Sequence, residues 1–154
     1  MPNAADISET LSKMRGKNAW GLARTHGSMF FLEFGEPRGV SGRNRVHGEW
    51  HLLVECCRWH ISKDNAAVLD CEDDQLFIDS TFEQTHLGQL VDARLGRATG
   101  DLTLRFSNDQ LLSISGDPET YEIDSTEWLL FTPDEKAWRK NTGKELSFGG
   151  IHEA

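Results

Sequence analysis

The sequence predicts an α+β domain built mainly of antiparallel β-sheet, and three observations lead there. Short apolar runs alternate with period two, as in Phe30-Phe31-Leu32-Glu33-Phe34 and Leu102-Thr103-Leu104-Arg105-Phe106. Turn-forming clusters such as Lys63-Asp64-Asn65 and Ser107-Asn108-Asp109-Gln110 separate such runs. Helical periodicity is confined to two short segments. The length of 154 residues is that of one domain, large enough to bury a core without disulfides.

Taken in order, Ile7, Leu11 and Met14 recur at helical spacing, with Asn3 to cap the start and Gly16 to stop the turn. A strand over Phe30–Phe34 is expected to end at Gly35-Glu36-Pro37. From Glu49 to Ile61 the apolar parity changes midway. Trp50, Leu52 and Val54 share one phase, while Cys57, Trp59 and Ile61 share the other, which calls for a bend near Cys56-Cys57. Ser80-Thr81-Phe82-Glu83 fits a capping box, placing a short helix from there to about Leu87. Strands follow at Leu90-Val91, Leu102–Phe106, Leu112–Ile114 and Trp128–Leu130. The tail over residues 133–154 is polar and glycine-rich.

The order of signals repeats. Each of two segments, about residues 4–62 and 80–132, runs helix, glycine (Gly16, Gly88), strand, hairpin and a tryptophan-bearing strand (Trp50, Trp128). Two helix-plus-meander halves sharing one core are expected. Phe34, Trp50, Leu52, Leu104, Phe106 and Trp128 should meet there.

The pattern Phe30-x-Leu32-x-Phe34-Gly35, Gly48-Glu49-Trp50-His51-Leu52 and Trp59-x-Ile61 resembles a small bacterial domain family of unknown function. Leu87-Gly88-x-x-Val91, Gly100-Asp101-Leu102-x-Leu104-x-Phe106 and Glu127-Trp128-x-Leu130 continue it. The likeness spans residues 15–132 and rests on core aliphatics, glycines and tryptophans. It implies the strand-rich fold. The family brings no established activity, cofactor or catalytic residue, so it implies no chemistry.

The net charge of −9 argues against nucleic acid and anionic membranes as partners, because phosphate repels it. Three cysteines, two of them adjacent, and no export signal at the start fit a cytoplasmic protein. Charge is uneven: residues 116–135 carry seven acids and no Lys or Arg. Glu119, Glu122 and Asp124 are therefore candidate protein-binding residues for a basic partner. The stretch Gly35–Gly48 is locally basic and reads as a long loop, making Arg38, Arg43, Arg45, His47 and His51 candidates for an anionic ligand.

Catalytic and metal readings are weaker. His47, His51 and His60 lie near Cys56 and Cys57 at spacings that match no zinc motif, so no metal is expected. Asp70-Cys71-Glu72-Asp73-Asp74 fails as a calcium loop, with Gln75 and Thr81 at the positions that need Gly and Glu. Cys57 and His60 fall on opposite strand faces, no nucleophile elbow or phosphate loop is present, and no cofactor is expected. The expected function is a noncatalytic protein-interaction module, one version being an immunity-type protein that blocks a basic toxin. The alternative is a small anionic-ligand-binding protein or enzyme using the Arg38–His47 loop. A homodimer is compatible with either.

Overall fold

A computed structural model describes residues 4–40 and 46–150. Two helices, α1 (Ala4–Met14) and α2 (Gln75–Gln84), accompany eleven strands. These are β1 (Asn18–Arg24), β2 (Phe30–Val40), β3 (Val46–Val54), β4 (Arg58–Lys63), β5 (Ala66–Asp70), β6 (Gly88–Leu95), β7 (Leu102–Phe106), β8 (Gln110–Ser115), β9 (Thr126–Phe131), β10 (Lys136–Asn141) and β11 (Ser147–Gly150). They form one sheet in the order β11-β10-β9-β3-β2-β1-β6-β7-β8-β4-β5. The described ladders are antiparallel. The expected α+β class with mainly antiparallel sheet is what the chain adopts.

Period-two patterning decides which residues point inward. Phe30, Leu32 and Phe34 of β2, with Trp50, Leu52 and Val54 of β3, are buried on one face. The sheet then folds over on itself. On a flat sheet β2 and β4 would lie about 24 Å apart, five strand spacings. Instead the Phe30 and Trp59 rings meet edge-on at 4.8 Å, and Phe34 stacks on Phe106 at 6.4 Å. Phe34, Trp50, Leu52, Leu104, Phe106 and Trp128 join one cluster, as their patterning predicts. Ile7, Leu11 and Met14 of α1, and Ile78 and Phe82 of α2, complete it. α1 packs mainly on β6 and α2 on β1, each beside the strand that follows the other helix.

Several elements depart from expectation. β2 does not stop at Gly35-Glu36-Pro37. It runs on to Val40 through two register shifts, between Phe34 and Pro37 and between Pro37 and Gly39. The expected loop is therefore mostly paired strand. Pro37 is tolerated because a bulge removes the need for its missing N–H. The helix expected from Ser80 begins at Gln75, with Asp74 as its cap: the Asp74 carboxylate accepts from Leu76 N–H at 3.1 Å. Ser80 lies inside the helix. The polar tail holds β10 and β11, where Ala137 and Trp138 are buried. The bend expected near Cys56-Cys57 is the break between β3 and β4. Trp128 faces Val54 across β9–β3, just as Trp59 faces Ile114 across β4–β8.

Candidate functional sites: an acidic loop and a histidine–glutamate cluster

The segment linking β8 to β9 is a long connection held by its own backbone. Tyr121 N–H donates to Asp117 O at 3.0 Å, and Ser125 N–H to Glu122 O at 3.2 Å. The turn after β10 braces it from outside: Asp124 N–H donates to Thr142 O, and Thr142 N–H to Ser125 O, both at 2.8 Å. The Asn141 amide donates to the Asp124 carboxylate at 3.0 Å. Asp124 sits at φ 69°, a left-handed conformation that Asp tolerates. At the tip Ile123 is 71% exposed. Glu119, Glu122 and Asp124 beside it in sequence are exposed as well. Glu127, which the sequence places in the same acidic run, is different. It is buried at the start of β9, 3.7 Å from the Lys140 ammonium. Burial pushes its carboxyl up, opposed by Lys140 and the Thr142 hydroxyl. This pair stands at the wall of an open cavity of about 820 Å³ that also touches Pro118, Lys144 and the 96–101 turn.

The second site lies on β2 and β3. Glu33 is directly opposite His51 in the ladder. It is 1% exposed. His51 Nδ1 lies 2.6 Å and His47 Nδ1 3.3 Å from the same carboxylate oxygen, Oε2. Gly48 N–H donates to the other oxygen at 2.9 Å. Burial alone would raise the Glu33 carboxyl. The bonds from His51, Gly48 and His47 outweigh it and hold the group below its ordinary range. An ionised carboxylate only accepts, so each Nδ1 facing it carries a proton. The two imidazoles stand 4.4 Å apart at 71°, and His51 is flanked by Phe31 at 5.3 Å and Phe131 at 5.5 Å.

Local sequence explains the convergence. Residues four apart on a regular strand are separated by about 13 Å. The bulges in β2 bend the hairpin opposite Gly48, and both rings lean onto one carboxylate. Gly48 is required there: a Cβ would stand 2.5 Å from Phe34 O.

Of the five anion-binding candidates, the structure joins His47 and His51 and directs both to a carboxylate. Arg38 sits 3.8 Å from Glu49, which also meets Lys17 at 3.5 Å. Arg43 and Arg45 lie outside the described residues. Glu33 went unnoticed in the sequence because it falls 18 residues before His51, within an apolar run that reads as core. The parity of Phe31, Glu33 and His51 against the buried set is the one signal that could have found it. Cys57 is buried and its thiol is pushed far up by burial, whereas His60 is exposed, so the two do not form a nucleophile pair. No helix among the described residues is long and apolar enough to cross a membrane. No family model, curated protein or solved structure matches the chain.

Proposed function

We propose that the protein is a noncatalytic interaction module that binds a basic protein partner through the β8–β9 loop, in the manner of an immunity-type protein neutralising a basic toxin. The observation that carries this reading is Ile123, 71% exposed on a braced loop, with Glu119, Glu122 and Asp124 exposed beside it in sequence. An apolar anchor fixed before binding loses little entropy on docking. Carboxylates around it steer a basic partner and speed its arrival. Lys144, on the turn that braces the loop, is the one cation nearby in that turn, against three exposed acids. A cytoplasmic setting follows from the same proposal.

The anionic-ligand alternative draws less support. Among the described residues, the groups it needs already face carboxylates: Arg38 meets Glu49, and His47 and His51 meet Glu33.

The same proposal extends to the architecture. Setting β11 aside, the strand order β10-β9-β3-β2-β1 matches β5-β4-β8-β7-β6 position for position. Each five-strand set brings one helix, and we read the chain as two equivalent halves around a shared core. Membership of the small bacterial family is part of this proposal and rests on the same core residues.

A photo-reactive amino acid placed at Ile123 tests the interaction in cell extract. The expected product is a cross-link to a basic protein, lost on Glu119→Lys/Glu122→Lys. Cross-links that survive the reversal, or that form from Phe77, 50% exposed on α2, and not from Ile123, would contradict it.

A further inference from the structure

The Glu33 cluster is independent of the acidic loop and has its own chemistry. Three donor atoms, His47 Nδ1, His51 Nδ1 and a Glu33 carboxylate oxygen, all lie within 4.8 Å of one another. We propose that Glu33, His47 and His51 form a binding site for a divalent first-row transition ion, with zinc as its simplest occupant and water completing the coordination.

The donor set selects the ion. Two imidazoles and one carboxylate suit zinc and its borderline neighbours, whereas calcium and magnesium take oxygen donors almost alone. Geometry fits as well. Ligands about 2.0–2.2 Å from a tetrahedral zinc stand about 3.3 Å from each other. His47 Nδ1 is already 3.3 Å from Oε2, and His51 Nδ1 at 2.6 Å has only to withdraw by a fraction of an ångström. In the metal-free state a proton on each Nδ1 occupies the space between nitrogen and carboxylate. On binding, each imidazole offers its Nδ1 lone pair to the ion and carries its one proton on Nε2 instead.

The surroundings are those of a built site. Gly48 N–H holds the second Glu33 oxygen and so fixes the plane of the carboxylate, the outer support that metal ligands commonly have. Phe31 and Phe131 stand beside the His51 ring and restrict its rotation. His47 is 31% exposed and His51 15% exposed in their side chains, which gives an ion an entry path. Three protein ligands leave a position open to water, the arrangement of zinc sites that take an outside ligand.

The experiment uses the full chain purified without an affinity tag, incubated with zinc chloride and passed through gel filtration. One zinc per chain should remain. Co²⁺ in its place should give visible ligand-field absorption without a sulfur-to-metal charge-transfer band. His47→Ala, at a partly exposed position, and Glu33→Gln, close in shape, should each weaken zinc binding by about tenfold or more. His60→Ala on β4 should leave it unchanged. Circular dichroism identifies which of the two ligand variants is folded, and a folded one of the pair suffices. A chain that leaves the column without zinc would overturn the proposal. So would unchanged zinc affinity in a folded ligand variant, or a charge-transfer band placing the ion on cysteine. None of these results bears on the β8–β9 loop.

Discussion

A carboxylate that is 1% exposed is tolerated only when its charge is met by donors, and Glu33 meets three: two imidazole N–H groups and the Gly48 N–H. Glu33→Ala leaves those donors facing a void. Both imidazoles are partly exposed and can turn to water, so the expected loss is that of unpaired donors, about 1–3 kcal/mol, rather than that of a stranded buried ion. A chemical denaturation midpoint equal to wild type would contradict this. Asp79 shows the commoner surface case. Its carboxylate takes two hydrogen bonds from Arg24, at 2.8 and 3.0 Å, and these hold it below its ordinary range. A depressed folded value means the ionised form stabilises above the unfolded pKa and that this contribution fades as pH falls through the folded one. Asp79→Asn should therefore lower the melting temperature at neutral pH, with the gap to wild type closing as the pH falls below the ordinary aspartate value of about 3.9. A gap that widens with acid would reverse the sign. Trp59 illustrates packing: it meets Phe30 at 4.8 Å, stacks on Phe82 at 5.8 Å and donates to Ser28 O at 2.8 Å. Trp59→Ala should cost roughly 3–5 kcal/mol, read by the same denaturation.

Elements whose period matched their burial were legible in advance. β7 and β8 alternate cleanly, and the parity change between Trp50 and Trp59 marks the break between β3 and β4. The failures have local causes. Ser80-Thr81-Phe82-Glu83 satisfies the capping-box pattern, yet the helix starts a turn and a half earlier because Asp74 caps it and Ile78 is buried, in a helix that packs on β1 and β5. Asp74→Ala should thus destabilise by about 1 kcal/mol, whereas Ser80→Ala, on an exposed helix face, should change stability by less than about 0.5 kcal/mol. The opposite ranking would restore the later start. β10 and β11 were invisible because glycine and charge dominate their composition. Only Ala137 and Trp138 carry β10 inward, and Trp138 donates its indole N–H to Thr10 of α1 at 3.1 Å. The site on β2 and β3 hid for a related reason: bulges, which no period reveals, bring His47 and His51 to one carboxylate.

At the scale of the molecule, curling of the sheet turns eleven strands into two facing layers around a single cluster. The acidic run of the sequence is partitioned in the process. Glu127 goes inside to Lys140, and Glu119, Glu122 and Asp124 stay outside with Ile123. Sequence alone could find the acidic run but not its division, because strand parity is undefined in the segment before β9. Under the proposed function, this exposed remainder captures a basic partner. The direct test is the association rate of the cross-linked partner with the intact chain, measured by stopped flow across a salt series. Wild type should associate fastest at low salt and slow steeply as salt rises, because screening shortens the reach of the carboxylates to about 8 Å at physiological ionic strength. Glu119→Lys/Glu122→Lys should slow association and flatten that dependence, and Arg38→Ala should leave both nearly unchanged. Rates indifferent to salt and to the reversal, but reduced by Arg38→Ala, would contradict the account and move the functional surface to the β2–β3 hairpin.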